Sequence, residues 1–358
     1  MSHKFPYSWT LKDAQFTKNK GTVFSCFSCG GGSTMGYKLA GFDVIGCCEI
    51  DKRMMSAYIA NHNPRFPFLE PIQSFKLRDD LPSELFNLDI LDGSPPCSTF
   101  SITGSREEAW GKMKKFREGQ AEQILDTLFF DFIDLAKRLQ PKVVIAENVK
   151  GLLLGEAKSY VQRIYTEFDE AGYHCQHFLL NGADMGVPQK RERVFFVCLR
   201  KDLIGKVPIQ CNLFDVMPYI NLSFKEPQIP FFKIKTTDHD RPCTEQKARL
   251  WELREFGDIG LDRCCARNGE NPNKFFNSKF IYSHKVCNTI CAGDELILFD
   301  EPRKLNTSEI ISASTFPKDY DFCGCKVDYL CGMSVPPVMM AQIADQVWSQ
   351  WLSKINKQ

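Results

Sequence analysis

The feature that most constrains the fold is an alternation of strand-like and helix-like segments between residues 21 and 200. Short apolar runs are separated by longer segments with helical periodicity, a pattern typical of parallel strands joined by crossover helices. It predicts an α/β fold with a doubly wound, Rossmann-like sheet. The predicted strands are residues 23–27, 43–49, 88–92, 142–147, 174–180 and 194–199, and the predicted helices lie near residues 35–40, 54–62, 121–139 and 159–171.

The texture of the sequence changes after Arg200. Prolines become frequent and periodicity weakens, which indicates a second, less regular domain that extends to about residue 300. Residues 335–355 are helical again, and Met340, Ala344 and Trp351 lie on one face of that helix. An apolar stripe of this kind is usually buried. We therefore expect the chain to return to the first domain at its end.

Composition limits the classes of function. The chain has 358 residues, 43% of them hydrophobic, which supports one large core or two domains. The formal net charge of +1 excludes an indiscriminate binder of polyanions, so any surface for nucleic acid must be a local basic patch.

The sixteen cysteines are scattered, and many lie within apolar strands. Residues 1–16 lack the apolar core of a signal peptide, and no apolar run approaches membrane-spanning length. These observations predict a cytoplasmic, reducing location with thiols rather than disulfides. Zinc is the alternative, because Cys26 and Cys29 have C-x-x-C spacing. No second pair at finger spacing accompanies them, and no metal is predicted.

Two apolar runs end in groups that can carry chemistry. Residues 88–92 lead into Pro95-Pro96-Cys97, and a second run ends at Glu147. The carboxyl ends of parallel strands meet at one edge of a sheet, where ligands bind. A thiolate with a nearby acid can attack an electron-poor ring and manage its protons. The alternatives are a packed structural thiol and a surface acid, but an unpaired carboxylate beside a buried strand is costly.

A glycine-rich turn follows the first predicted strand. Gly30, Gly31 and Gly32 allow the backbone to approach a ligand closely at the start of a helix. The second strand ends at Glu49, an acid suited to ribose hydroxyls, and Asp51 is the better candidate for a helix cap. The turn and the acid together favour a cofactor that contains adenosine.

In their order along the chain, these motifs resemble those of the DNA (cytosine-5-)-methyltransferases of the prokaryotic or phage modification type. The resemblance covers nearly the whole length. The segments that carry it are residues 27–36, Glu49, Gly93-Ser94-Pro95-Pro96-Cys97, residues 127–130, Glu147-Asn148-Val149, Gln189-Lys190-Arg191-Glu192-Arg193, residues 303–317 and Gly332-Met333-Ser334-Val335-Pro336-Pro337.

The resemblance implies methyl transfer from S-adenosyl-L-methionine to C5 of a flipped cytosine in a specific duplex DNA sequence. Cys97 would form a covalent adduct with C6, and Glu147 would bind the N3 edge of the base. Arg191 and Arg193 would hold the base carbonyl and a flanking phosphate. The implied cofactor-binding residues are Phe27, Ser28, Gly30, Gly31, Gly32, Glu49, Ile50, Pro96, Leu128 and Ser334.

The resemblance also assigns parts of the chain. Residues 1–200, completed by 325–358, would be the catalytic domain, residues 201–300 the target-recognition domain, and residues 301–324 a return segment. The implied partners are double-stranded DNA and a cognate restriction endonuclease that acts separately on it. The expected protein is a monomer in the cytoplasm of a prokaryote or a phage-infected host. The polar segment 98–123 would close over DNA, or else form an exposed amphipathic helix.

Several positions depart from the family pattern. Ser25 stands where Asp is usual, Cys29 where Gly is usual, and Met333 replaces an Asn near the cofactor; Glu70-Pro71 matches a stretch that normally offers an Asp. Two alternatives therefore remain open. One is cytosine-5 methylation of tRNA, and the other is a non-catalytic DNA-binding relative with a decayed cofactor pocket.

Overall fold

A computed structural model describes residues 3–96, 127–154, 157–211, 216–238, 240–291 and 295–357. The chain divides into two compact units. The first, here the sheet unit, contains Gln15–Leu180, Glu192–Ser223 and Met340–Gln358; the second unit contains Met1–Ala14, Asn181–Arg191 and Phe224–Met339. Residues 201–223 thus group with the sheet unit, whereas residues 325–339 group with the second unit. Both bounds differ from the expected division at residues 200 and 325.

The sheet unit is built on seven strands in the order β3-β2-β1-β4-β5-β7-β6. Neighbouring strands from β3 to β5 pair in parallel, and β7 pairs with β5 in the antiparallel sense. The predicted doubly wound α/β sheet is therefore confirmed. The strands are β1 (Thr22–Cys26), β2 (Asp43–Glu49), β3 (Phe66–Leu69), β4 (Ile90–Gly93), β5 (Val143–Val149), β6 (Tyr173–Asn181) and β7 (Glu192–Arg200).

The sequence pattern identified every strand of this sheet except β3. The central strands are buried on both faces and therefore read as continuous apolar runs, as in Val143–Val149. Strand β3 is short, half-buried and contains Pro67, which weakens its signal. Its place at the edge of the sheet explains why a proline is tolerated there.

Helices cover the sheet and fill its core. In α4, Phe129 and Phe132 are buried in the main hydrophobic cluster. A Cβ on Gly93 would lie 2.5 Å from the Phe132 ring, so this glycine lets α4 approach β4 closely. The helices of this region are α1 (Gly32–Leu39), α2 (Lys52–His62), α3 (Ile72–Phe75), α4 (Leu128–Leu139) and α5 (Ala157–Glu170). Residues 121–126 of the predicted helix, Cys97 and the whole segment 98–123 lie outside the described residues.

Beyond β7, the sheet unit adds a short antiparallel hairpin of β8 (Ile209–Cys211) and β9 (Val216–Pro218). The second unit has its own core, in which Trp251, Leu261 and Phe280 are buried. Its elements are α6 (Glu245–Glu252), α7 (Leu261–Arg267), the parallel pair β10 (Ser278–Ile281) and β11 (Glu295–Leu298), α8 (Thr307–Ala313) and α9 (Val327–Met333).

The C-terminal segment is helical, as its apolar stripe predicts. It consists of α10 (Pro337–Val347), a π-helical turn (Trp348–Leu352) and α11 (Ser353–Ile355). The Trp351 indole N–H donates to the Tyr219 carbonyl at 2.8 Å, and the ring of Trp348 meets Phe42 edge-to-face. These contacts place the end of the chain in the sheet unit. Of the helices in the described ranges, none has the combined length and hydropathy of a membrane span.

A buried ion pair holds the start of α8 in the second unit. Arg303 donates two hydrogen bonds, at 2.9 and 2.8 Å, to the two oxygens of Glu309, whose side chain is 0% exposed. The same carboxylate accepts from the backbone N–H groups of Thr236 and Asn306. Glu309 therefore joins three separate segments through charge-assisted hydrogen bonds.

Replacing Glu309 should be strongly destabilising. The Glu309→Ala change leaves the Arg303 guanidinium buried without this carboxylate, which typically costs about 3–5 kcal/mol. Chemical denaturation of the purified protein measures the loss. Glu245→Ala is the matched control, because its partner Arg249 is 78% exposed and Glu245 is 83% exposed. A surface pair of this kind contributes less than about 1 kcal/mol, so equal losses in the two variants would contradict the assignment.

Candidate active site

The glycine loop connects β1 to α1 and has an unusual backbone. Phe27, Cys29 and Gly31 all have positive φ values, of 52°, 48° and 82°. The Gly31 N–H donates to the Ser28 carbonyl at 2.8 Å, which closes a tight turn before Gly32 begins the helix. Non-glycine residues in the left-handed region are strained, and such strain persists where the surrounding structure enforces it.

The left-handed backbone at Cys29 explains why glycine is usual at this position in the family that the sequence resembles. Glycine adopts that region without the steric penalty of a Cβ. The contact made here belongs to the backbone, because the Cys29 N–H donates to Glu49 Oε2 at 2.7 Å. The substitution therefore changes the strain in the loop and keeps this hydrogen bond.

Glu49 ends β2 and is buried against the loop. Its Oε1 accepts from the Asp51 N–H at 2.8 Å, while its Oε2 accepts from Cys29. Burial raises the pKa of Glu49 above its ordinary value, and the backbone N–H donors oppose that rise. Asp51 caps α2 through the N–H groups of Arg53 and Met54, as the sequence predicts. Ile50, between them, is half-buried.

Glu147 and Arg193 form an ion pair at the carboxyl end of β5. The Arg193 Nε lies 3.0 Å from Glu147 Oε1, with both side chains mostly buried. The antiparallel register opposes Glu147 to Phe195, so Arg193 is the diagonal neighbour on the same face. The arginine thus orients one carboxylate oxygen and leaves the acceptor capacity of the other for a ligand.

The strand that precedes Cys97 is tied to the same edge. The Asn148 side-chain amide donates to the Pro95 carbonyl at 3.2 Å, which links the end of β5 to the segment after β4. Pro96 is half-buried at the end of the described segment. Since β4 and β5 pair in parallel, with Gly93 opposite Ala146, this segment leaves the sheet beside Glu147.

A buried carboxyl lies between the glycine loop and this segment. Asp92, near the end of β4, accepts from Ser25 Oγ at 2.7 Å and from Tyr37 OH at 3.1 Å. Ser25 is its register partner on β1. Burial raises the pKa of Asp92 to about 7, and the charge of Glu147 adds to the rise. The sequence reasoning did not single out Asp92; its signal was an acid inside an apolar strand.

The two predicted arginines lie in different units. Arg191 belongs to the second unit, is 2% exposed, and donates to the carbonyls of Ile290, Gly332 and Ser334 at 3.2, 2.8 and 3.0 Å. Gln189 binds the same part of this unit, through the Ile290 N–H and the Ala313 carbonyl. These contacts tie together segments of backbone, whereas Arg193 contacts the predicted acid.

The remaining predicted cofactor residues are also divided between the units. Ser28 and Leu128 are buried in the sheet unit, and the Phe27 ring meets Phe132 of α4. Ser334 belongs to the second unit, where its hydroxyl donates to the Leu330 carbonyl at 2.8 Å. The structure therefore brings Phe27 to Gly32 and Glu49 together, and it groups Ser334 with Arg191.

This arrangement fits a cofactor that contains adenosine. No described side chain caps the N-terminus of α1, so its first N–H groups can face an anionic group of a ligand. Each oxygen of Glu49 accepts one backbone N–H and retains a lone pair for a ribose hydroxyl. In the described part of the chain, no cluster of three or more His, Cys, Asp or Glu residues is arranged for a metal ion.

Comparison with known proteins agrees with this geometry. The family model for C-5 cytosine-specific DNA methylases matches residues 21–349. The Type II methyltransferase M.Sau96I of Staphylococcus aureus is 33% identical, with 95% of this chain and 78% of that protein covered. M.FnuDI of Fusobacterium nucleatum is 37% identical over 51% of this chain, and the alignment covers 47% of M.FnuDI. This chain spans about half the length of the first curated relatives that it matches.

Solved structures share the fold. A mutant of Spodoptera frugiperda DNMT2 superimposes with a TM-score of 0.62 at 16% identity, over 92% of this chain and 99% of that one. The sheet and the glycine loop therefore define a Rossmann-like methyltransferase, a class in which S-adenosylmethionine is the cofactor. This chain belongs to the C-5 cytosine-specific DNA methylase family.

The buried Asp92 should make stability depend on pH. Its pKa is about 7 in the folded chain against an ordinary 3.8, so the folded state holds the proton more tightly. The contribution of Asp92 to stability then falls as pH rises between these values. Relative to the wild type, the Asp92→Asn variant should gain about 2–3 kcal/mol of unfolding free energy between pH 5 and pH 8, measured by denaturant titration.

Asp80→Asn is the control for this measurement. Arg78 lowers the pKa of Asp80, so this exposed group is ionised in both states across the same pH range. Its variant should show no comparable change between pH 5 and pH 8. A flat difference for Asp92→Asn as well would contradict the raised pKa.

Proposed function

We propose that this chain transfers a methyl group from S-adenosyl-L-methionine to C5 of a flipped cytosine in a specific duplex DNA sequence, through a covalent bond between Cys97 and C6. The observation that carries the proposal is the Glu147–Arg193 pair at 3.0 Å, beside the strand that leads to Cys97. Membership of the C-5 cytosine-specific DNA methylase family supports the same reaction.

The chemistry needs a nucleophile because cytosine C5 is itself a weak one. Addition of the Cys97 thiolate at C6 breaks the C5–C6 double bond and makes C5 electron-rich. C5 then takes the methyl group, loses its proton to a base, and the thiolate leaves C6 as the double bond re-forms. A base within a duplex is inaccessible to this attack, so the cytosine must be flipped out of the stack.

Glu147 would stabilise the charge that the addition creates. Attack at C6 moves negative charge toward ring N3, and a proton shared between N3 and the Glu147 carboxyl neutralises it. Arg193 holds one oxygen of this carboxyl and is placed to contact the base carbonyl as well. Arg191, which binds three backbone carbonyls, would act by holding the backbone around Gly332 and Ser334.

The cofactor would supply an electrophilic methyl group when bound. Glu49 would accept from the ribose hydroxyls, and the turn from Phe27 to Gly32 would let the backbone approach the ligand. Ser28, Ile50, Pro96, Leu128 and Ser334 are proposed to complete the site. The altered Cys29 supports a working pocket over a decayed one, because its contact with Glu49 is made by the backbone.

Duplex DNA is the proposed substrate because the second unit provides a separate module. Phe224–Met339 contains its own core, and basic side chains accompany exposed aromatic rings there, as where Lys279 lies over Phe276 at 4.4 Å. Sequence readout in duplex DNA needs such a module, whereas methylation of tRNA is the second candidate. We further propose that the protein is a monomer and acts as the modification partner of a restriction endonuclease.

Covalent trapping tests the proposed nucleophile. DNA amplified with 5-fluorocytosine in place of cytosine cannot complete the elimination step, because C5 carries fluorine instead of a proton. With S-adenosylmethionine present, the wild type should form an adduct that survives denaturation and is visible as a shifted band on a gel. The Cys97→Ala variant should form none.

Two controls define the outcome of the trapping experiment. Cys175→Ser removes another cysteine of the sheet unit and should leave the adduct yield unchanged. A transfer RNA transcript containing 5-fluorocytosine tests the alternative substrate. Trapping on the RNA alone would replace DNA as the substrate, and no adduct on either polymer would reject the covalent mechanism.

The carboxyl of Glu147 should be needed for the rate. Glu147→Gln removes the proton that N3 would share, so methylation of DNA, measured with tritiated methyl donor, should fall by about 100-fold or more. Glu192→Gln is the matched control: it changes an exposed acid on the adjacent strand that pairs with Lys150 at 2.9 Å. This control should stay within about twofold of the wild type. Comparable losses in both would argue against the proposed role.

A further inference from the structure

A histidine packs directly behind the glycine loop. His62 ends α2, and a Cβ built on Gly31 would lie 2.2 Å from the His62 Nε2 atom. Tyr58, one turn earlier on α2, would lie 3.1 Å from the same Cβ. Together with the positive φ of Gly31, this contact leaves room only for glycine. The imidazole thus supports the loop from the side of α2.

A lysine determines which nitrogen of His62 carries the proton. Lys38 Nζ lies 3.4 Å from His62 Nδ1 and donates to the His62 carbonyl at 3.1 Å. An ammonium group can only donate, so Nδ1 accepts and the hydrogen of the neutral ring is on Nε2. The ring then donates a hydrogen bond to the Gly30 carbonyl. His62 therefore connects Lys38 on α1 to the glycine loop.

The surroundings keep this arrangement in one protonation state. Burial and the charge of Lys38 lower the pKa of His62 well below 6.5, so the imidazole is neutral. Burial and the nearby Lys18 lower the pKa of Lys38 to about 8, while Asp43 raises it. Lys38 is thus still mostly an ammonium at neutral pH and remains a donor to the ring.

The same helix contacts both parts of the proposed cofactor cradle. At the start of α2, the N–H of its cap Asp51 donates to Glu49; at its end, His62 binds the loop at Gly30 and Gly31. The acid and the loop are also joined directly, through the Cys29 N–H. The positions of Glu49 and the loop therefore depend on one rigid element.

We propose that His62 is a positioning residue for the cofactor loop: its Nε2–H holds the Gly30 carbonyl toward α2 while its ring supports Gly31, so that the N–H groups at the start of α1 face S-adenosylmethionine. The inference rests on the proposed assignment of Gly30 to Gly32 to the cofactor. Without this hydrogen bond, the Gly30 peptide can rotate and the loop must be ordered by the ligand at a cost in affinity.

The test separates the hydrogen bond from the packing. His62→Phe keeps a ring of similar size and removes the donor, whereas His62→Gln places an amide N–H near the position of Nε2. Titration calorimetry of the full chain with S-adenosylmethionine should show about tenfold weaker binding for His62→Phe. Binding by His62→Gln should stay within about threefold of the wild type. Equal weakening in both variants would overturn the role of the hydrogen bond.

Two further variants keep the result interpretable. Tyr173→Phe also removes a buried donor, to the Pro141 carbonyl at 2.9 Å, at the far edge of the sheet, and should bind the cofactor normally. Equal weakening in Tyr173→Phe and His62→Phe would overturn the inference in favour of general destabilisation. Glu49→Gln tests the cradle itself. Weak binding by Glu49→Gln with normal binding by His62→Phe overturns only the inference, whereas normal binding by both overturns the proposed cofactor site.

Discussion

The parallel pairing of β4 with β1 on one side and with β5 on the other is the constraint on which the site depends. Gly93 of β4 lies opposite Cys26 of β1 and Ala146 of β5, so the three strands end level with one another. The glycine loop, the segment that leads to Cys97 and the Glu147 side chain therefore leave one edge of the sheet side by side. Close packing of α4 against Gly93 keeps this central strand in place.

Backbone contacts make the cofactor side of the site tolerant of changes in side chains. Cys29 has lost the freedom of the usual glycine, yet its N–H still binds Glu49, because the loop is held in the left-handed region by its surroundings. The acid missing at Ser25 has a counterpart on the adjacent strand, where Asp92 is hydrogen-bonded to Ser25 itself. The altered residues thus sit in a connected set of hydrogen bonds rather than in an empty pocket.

The two arginines of one short motif have separate contacts because the chain changes unit between them. Arg191 lies before the passage and binds three carbonyls of the second unit, while Arg193 lies on β7 and meets Glu147 across the sheet. Their spacing of two residues suggested a joint clamp on the substrate. The structure shows one guanidinium engaged with the backbone and one with the acid.

The sequence by itself determined the sheet class and the strand ends that bear Glu49 and Glu147. Strands buried on both faces need continuous apolar runs, and such runs are visible in a single sequence. Only the tertiary structure decided the edge strand β3 and the partners of Arg193 and His62. These contacts join residues that are far apart in the chain and depend on strand register and helix packing, which local composition does not encode.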